Sequence, residues 1–294
     1  MGQSFADPQT ESRFFGAYDW VLARWPVPAE ALDLVSEFGS THIHACGPPD
    51  APPLLLLHGG GATSTVWFDN VAHLSRDHRV YAVDTIGDAG RSRHDGRPIK
   101  SREDLMAWVD GILDGLGLLG AAVVGHSYGA WIALSYALHA PQRVRALALL
   151  DPNQCFAGMN RGYLMRAAPL LVRPSARRMR SLLRWESSGI GLDPDWLELV
   201  ALGAGDFPRS KVVIGPRPEP ERLALCTVPT LVVLAEKSRV HDVDAVARGV
   251  RELMPRAVVV TLADVSHHSM PMRNARALNT EILAFLGWPR SQAI

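Results

Sequence analysis

The chain is poor in cysteine and charge, and neither sign of charge is in excess. Cys46, Cys155 and Cys226 are its three cysteines in 294 residues, an odd number too scattered for a disulfide framework. Lys+Arg and Asp+Glu both number 30, so no overall field favours nucleic acid. No apolar run approaches the length of a membrane span. The opening MGQSFADPQTESRFFG lacks the basic start and apolar stretch of a signal peptide. Internal repeats and low-complexity tracts are missing too. These absences predict a soluble, cytoplasmic protein with free thiols and no nucleic-acid or membrane partner. Hydrophobic residues make up 47 % against 20 % charged, enough for a sizeable core in one large α/β domain or two small ones.

Six short runs read as strands: PLLLLHG (53–59), RVYAVD (79–84), AAVVGHS (121–127), VRALALLD (144–151), TLVVLAE (230–236) and AVVVTLAD (257–264). They are almost continuously apolar, as strands covered on both faces must be. Helical patterns at 64–76, 101–118, 127–140, 240–254 and 272–286 separate or follow them. Such alternation predicts a mostly parallel sheet wrapped by helices. Ahead of it, ALDLVSEFG and STHIHACG read as an antiparallel hairpin at the sheet edge. The alternation stops after Asp151 and resumes near Thr230, across a proline-rich stretch with helical pieces and no convincing strand. That gap predicts a helical lid, 152–227, inserted after the sixth strand of a core made of 1–151 and 228–294.

The stretch VVGHSYGAW places Ser127 in a G-x-S-x-G pattern between a buried strand and a helix. A sharp strand-to-helix turn there needs small flanking residues and aims the serine at free helix N–H groups. Ligands meet a parallel sheet at the carboxyl ends of its strands, which is where Ser127 falls. The plain alternative is a small residue at a tight junction. The placement favours a nucleophile. LLLLHGGGATSTVWF reads as an oxyanion loop, with the backbone N–H of Gly60 as one donor and that of Tyr128 as the other.

VDTIGDAGRS resembles the D-x-x-G-x-G-x-S turn that follows the fourth strand in α/β-hydrolases, with one residue more between Gly87 and Gly90. With G-x-S-x-G and the late LADVSHHSM, it identifies the chain as similar to the α/β-hydrolase superfamily from about Leu32 to Leu286. The stretch from Trp25 to Asn70, with VYAVDTIGDAG, resembles a bacterial branch that includes carboxylesterases. The resemblance implies the α/β-hydrolase fold, a small-molecule ester or thioester substrate, no cofactor and no metal. Asp84 is structural in that turn. Ser266-His267 occupies the place of the usual Gly-His, which makes His267 the base and His268 a neighbour or substrate contact.

The acid is the departure. Where relatives have G-x-x-D or G-x-x-E, this chain has Ala235-Glu236-Lys237-Ser238, and serine cannot serve as the carboxylate. Asp151, at the end of the preceding strand, is preferred over Asp242, Asp244, Glu236 or a Ser–His dyad. Two rivals to an esterase remain. A biosynthetic thioesterase, cyclase or acyltransferase would use the same serine, and a non-catalytic ligand-binding protein would have lost the acid. The arginine-rich 161–185, which contains no acidic residue, reads either as a solvated outer face or as a lid for an anionic substrate or acidic carrier protein. His42, His44 and Cys46 alternate on one strand face, which raises a metal site against ordinary edge-strand residues.

Overall fold

The computed structural model describes residues 5–187, 189–208, 212–213 and 215–287. Eight strands form one sheet: β1 (Glu30–Ser36), β2 (Gly39–Cys46), β3 (Pro53–Leu57), β4 (Arg79–Val83), β5 (Ala121–His126), β6 (Val144–Leu150), β7 (Thr230–Ala235) and β8 (Val258–Leu262). Their spatial order is β1-β2-β4-β3-β5-β6-β7-β8. β1 pairs β2, and β2 pairs β4, antiparallel; every other pairing is parallel. This is the α/β-hydrolase fold with the expected N-terminal hairpin.

The leucine run of β3 shows why the sheet sits inside. Leu55 and Leu57 join the apolar cluster on one face with Trp108, Ile112 and Tyr136. Leu54 and Leu56 join the cluster on the other face with Phe14, Trp67 and Ile282. Alternate side chains of a strand point to opposite faces, so a strand covered twice is apolar throughout. The coverings include α3 (Arg102–Gly115) and α4 (Tyr128–His139) on the first face and α1 (Pro8–Leu22) and α10 (Ala275–Leu286) on the second. Ser101 and Asp104 close a reciprocal capping box that starts α3.

Two elements differ from the sequence reading. The helix expected at 64–76 is a tight six-residue turn, Ser64–Asp69, followed by the four-residue α2 (Val71–Leu74). The two meet at Asn70, whose φ is −113° and whose side-chain amide donates to Asn279 Oδ1 at 2.8 Å. The helix α1 was not expected. Its signals are an Asp7 cap that accepts from Thr10 N–H, proline in the first turn, and Phe14, Tyr18 and Val21 buried on one face.

Among the described residues four helices lie between β6 and β7: α5 (Arg161–Val172), α6 (Ala176–Glu186), α7 (Pro194–Asp206) and α8 (Pro220–Ala224). No strand lies there among the described residues, apart from a single bridge from Met159 to His241. Beyond β7, α9 (Val243–Leu253) leads to β8. Among the described residues no helix is long and apolar enough to cross a membrane.

Candidate active site

β5 lies between β3 and β6, so the loops leaving the carboxyl ends of these three strands are neighbours. They carry Gly60, Ser127 and Asp151. Ser127 has φ 53° and ψ −111°, a region that side chains rarely adopt. The turn is tight on both flanks. A Cβ at Gly125 would collide with the Gly129 carbonyl, and one at Gly129 with the Leu57 carbonyl. The Ser127 backbone N–H is fixed to Leu150 O at 2.9 Å.

His267 follows β8 and is 2 % exposed, against 8 % for Ser127. Its Nδ1 lies 2.6 Å from Asp151 Oδ2 and its Nε2 lies 2.7 Å from Ser127 Oγ. A carboxylate only accepts, so Nδ1 carries the proton and Nε2 is free to accept the serine O–H. Burial pushes the His267 imidazolium down in pKa, and the Asp151 hydrogen bond and charge offset only part of this. His126, within the serine motif, donates from Nε2 to the His267 carbonyl at 3.0 Å. Burial and the neighbouring His267 and His268 hold His126 down at about 3, so it is neutral.

Asp151 is fully buried with φ 41°. Besides His267, Ser238 Oγ donates to its Oδ2 at 2.8 Å, and Ala235 N–H and His241 Nε2 each donate to its Oδ1 at 3.0 Å. Burial alone would raise this carboxyl, but the two histidines hold it well below the usual range. Ser238, in the family's usual acid position, therefore supports a carboxylate on another strand. Asp242 instead caps α9 by accepting from Ala245 N–H at 2.9 Å, and Glu236 accepts from Asp264 N–H at 3.0 Å. Asp244 lies in the first turn of α9.

Gly60 lies against Tyr128: a Cβ added there would come 3.6 Å from the tyrosine Cβ. Among the described residues neither the Gly60 nor the Tyr128 N–H is engaged in a hydrogen bond. The next glycine is committed, since Gly61 N–H donates to Asp88 Oδ2 at 2.8 Å. Asp88 lies in the one-residue-longer segment between Gly87 and Gly90, so that extension braces the glycine loop. Burial raises its carboxyl pKa. Asp84 is buried and accepts from Ser64 N–H, Arg91 N–H and the Tyr18 hydroxyl, a structural part as expected.

These groups meet a cavity of about 430 Å³. Its walls include Leu164 and Leu170 of α5, Met179 and Leu182 of α6, and Trp196 and Val200 of α7. No arginine lines it among the described residues. Of the arginines in 161–185, Arg180 forms a two-pronged pair with Glu198, and Arg166 lies over the Trp185 ring at 4.7 Å.

Sequence reasoning missed Glu186, one residue past that arginine-rich stretch. It is 1 % exposed and faces the His267 loop. His241 and Asp88 were missed as well. The alternating histidines of β2 are spent locally: His42 Nδ1 contacts Asp33 Oδ1 at 2.8 Å, and His44 Nε2 contacts the Tyr18 hydroxyl at 2.8 Å. Burial brings His44 down to about 4 and raises the Cys46 thiol to about 11. Among the described residues no three His, Cys, Asp or Glu side chains converge as metal ligands would.

A strained serine after the central strand, a histidine bridging it to a buried carboxylate, and helices inserted over the strand ends define a class. The profile of the alpha/beta hydrolase family matches residues 54–281, and the chain belongs to that family. Over 181 residues it is 38 % identical to carboxylesterase YbfK of Bacillus subtilis (strain 168), an alignment spanning 62 % of this chain and 60 % of that protein. An uncharacterized carboxylesterase, nap, of the same organism is 27 % identical over 93 % of this chain and 92 % of its own. The crystal structure of the former, also called CesB, superposes with a TM-score of 0.88 at 28 % identity, covering 95 % of this chain and 99 % of that one. Naproxen esterase of Bacillus subtilis gives 0.87 at 26 % identity, with coverage of 95 % and 99 %. These relatives place the chain among the bacterial carboxylesterase-like hydrolases.

Proposed function

We propose that the protein hydrolyses a neutral carboxylic ester through a covalent acyl-enzyme at Ser127. The observation that carries this reading is the hydrogen-bonded row Ser127–His267–Asp151 at the edge of an apolar cavity, with spans of 2.7 and 2.6 Å. Ser127 Oγ attacks the ester carbonyl while its proton passes to His267 Nε2. The Gly60 and Tyr128 N–H groups hold the oxyanion, and Asp151 keeps the imidazole in the required tautomer and stabilises its cation. The His267 proton leaves with the alcohol. Water, activated by the same histidine, then releases the acid.

In this reading residues 152–227 form the lid and residues 1–151 with 228–294 the core; 1–4, 188, 209–211, 214 and 288–294 lie outside the described residues. Leucine, methionine and tryptophan walls favour an apolar acyl or alcohol part, in keeping with a relative named naproxen esterase. The test is hydrolysis of a series of p-nitrophenyl esters by wild type and Ser127→Ala. Turnover by wild type that Ser127→Ala lacks supports the reading; equal turnover by both removes it.

A further inference from the structure

We propose that Glu186, at the end of lid helix α6, is a positioning residue for His267, fixing the backbone of its loop while Asp151 holds its ring, and adding a second negative charge near it. The inference rests on the esterase reading of the same site. Three observations carry it. The carboxylate takes five donors from two loops: Oε1 accepts from His267 N–H at 3.1 Å and Arg239 N–H at 3.4 Å, and Oε2 from His268 N–H and Ser266 Oγ at 3.1 Å and from His268 Nδ1 at 3.0 Å. Four of those donors come from three consecutive residues, Ser266 to His268, around the base. A loop held at three successive residues cannot swing His267 away from Ser127.

Second, the placement is unfavourable for the helix. A carboxylate in the last turn opposes the helix dipole, and a buried anion is costly without dedicated donors. Helix stability therefore does not explain Glu186; the His267 loop does. Third, α6 is pinned at this end, since Arg239 donates to the Trp185 carbonyl at 3.0 Å and its guanidinium lies 5.2 Å from the Trp185 ring centre. Any opening of the lid must leave this end in place.

The titratable groups facing Glu186 are His267 and His268 from the loop after β8, Tyr163 from α5, and Arg239 and His241 from the loop after β7. Burial alone would raise the Glu186 carboxyl, but the His268 hydrogen bond and charge, with His267, hold it at about 2. It is thus ionised wherever the enzyme works, and its charge favours the His267 imidazolium.

The experiment compares wild type with Glu186→Gln, with active sites counted by fluorophosphonate titration so that unfolded protein drops out. Glutamine keeps an acceptor and loses the charge. The expected result is a fall of about tenfold in kcat per titrated site, KM nearly unchanged, and an acid limb of the kcat profile displaced to lower pH. Unchanged kcat and pH profile, with only a lower melting temperature, would overturn the proposal by making Glu186 merely structural. If Glu186→Gln does not fold, Ser266→Ala removes one donor and keeps the charge: a smaller fall in kcat supports the role, and wild-type kcat overturns it. Failure of the esterase reading is distinguishable, because wild type itself would then turn over no p-nitrophenyl ester.

Discussion

Asp151 has two oxygens and four donors, and two of those donors are imidazoles. The charge needed beside His267 is therefore held by the chain even though the usual acid position is Ser238. Asp151→Asn should keep the fold and present an N–H where an acceptor is required, favouring the wrong tautomer. A loss on the order of 10⁴ in kcat is the precedent for that change. Asp242→Asn should cost little, because Asp242 serves the start of α9. The reverse ranking of these two variants would remove Asp151 from its role. His267 must be neutral to accept the serine proton, and burial lowers its pKa from the ordinary 6.5. Activity should therefore rise with pH through an apparent pKa below 6.5, and a midpoint above 7 would contradict the site as described.

The same residues show what could be read in advance. Ser127, Gly60 and Tyr128 are read from type and position after strands, His267 from the α/β-hydrolase resemblance and Asp151 from its place at a strand end, and the structure brings Ser127, His267 and Asp151 within hydrogen-bond distance. Glu186, His241 and Asp88 are not, because each acts across a distance that local pattern cannot measure: Glu186 reaches a loop 81 residues away.

At the scale of elements, the strands were legible because doubly covered β3, β5 and β7 must be apolar throughout. The division at Asn70 was not, and the partner of its side chain, Asn279 on α10, lies 209 residues away. The glycine loop after β3 and the lengthened turn after β4 act together through the Gly61–Asp88 hydrogen bond. Asp88→Ala frees that N–H and loosens the neighbouring Gly60. We expect kcat/KM to fall on the order of tenfold, mostly in kcat, since an oxyanion donor acts in the transition state. A pure KM effect would show instead that Asp88 touches only the ground state. The inserted arginines belong to a different surface. Because no arginine among the described residues lines the cavity, Arg173, Arg177 and Arg178 changed together to glutamine should leave kcat/KM for a small neutral ester within about twofold at any salt, exposed charges being screened over about 10 Å at 0.1 M. A salt-dependent loss for an acidic protein-bound ester would instead revive the acidic-carrier expectation.

For the molecule as a whole, α6 and the loop after β8 share a buried charge. Glu186 titrates at about 2 in the folded protein against an ordinary 4.5, so its stabilising contribution is complete above 4.5 and is lost as pH falls toward 2. Glu186→Ala removes the carboxylate and leaves buried N–H groups unpaired, a cost on the order of 3 kcal/mol at neutral pH. Its deficit relative to wild type should shrink in acid unfolding below pH 4.5; a deficit independent of pH would point to packing alone. In the proposed reaction nucleophilic attack falls to one oxygen atom, Ser127 Oγ, and peptide mapping after reaction with a fluorophosphonate locates it. One adduct per chain is expected, on the peptide carrying Ser127, and none on Ser127→Ala. An adduct of equal yield on the variant, or on another residue of wild type, would contradict that role.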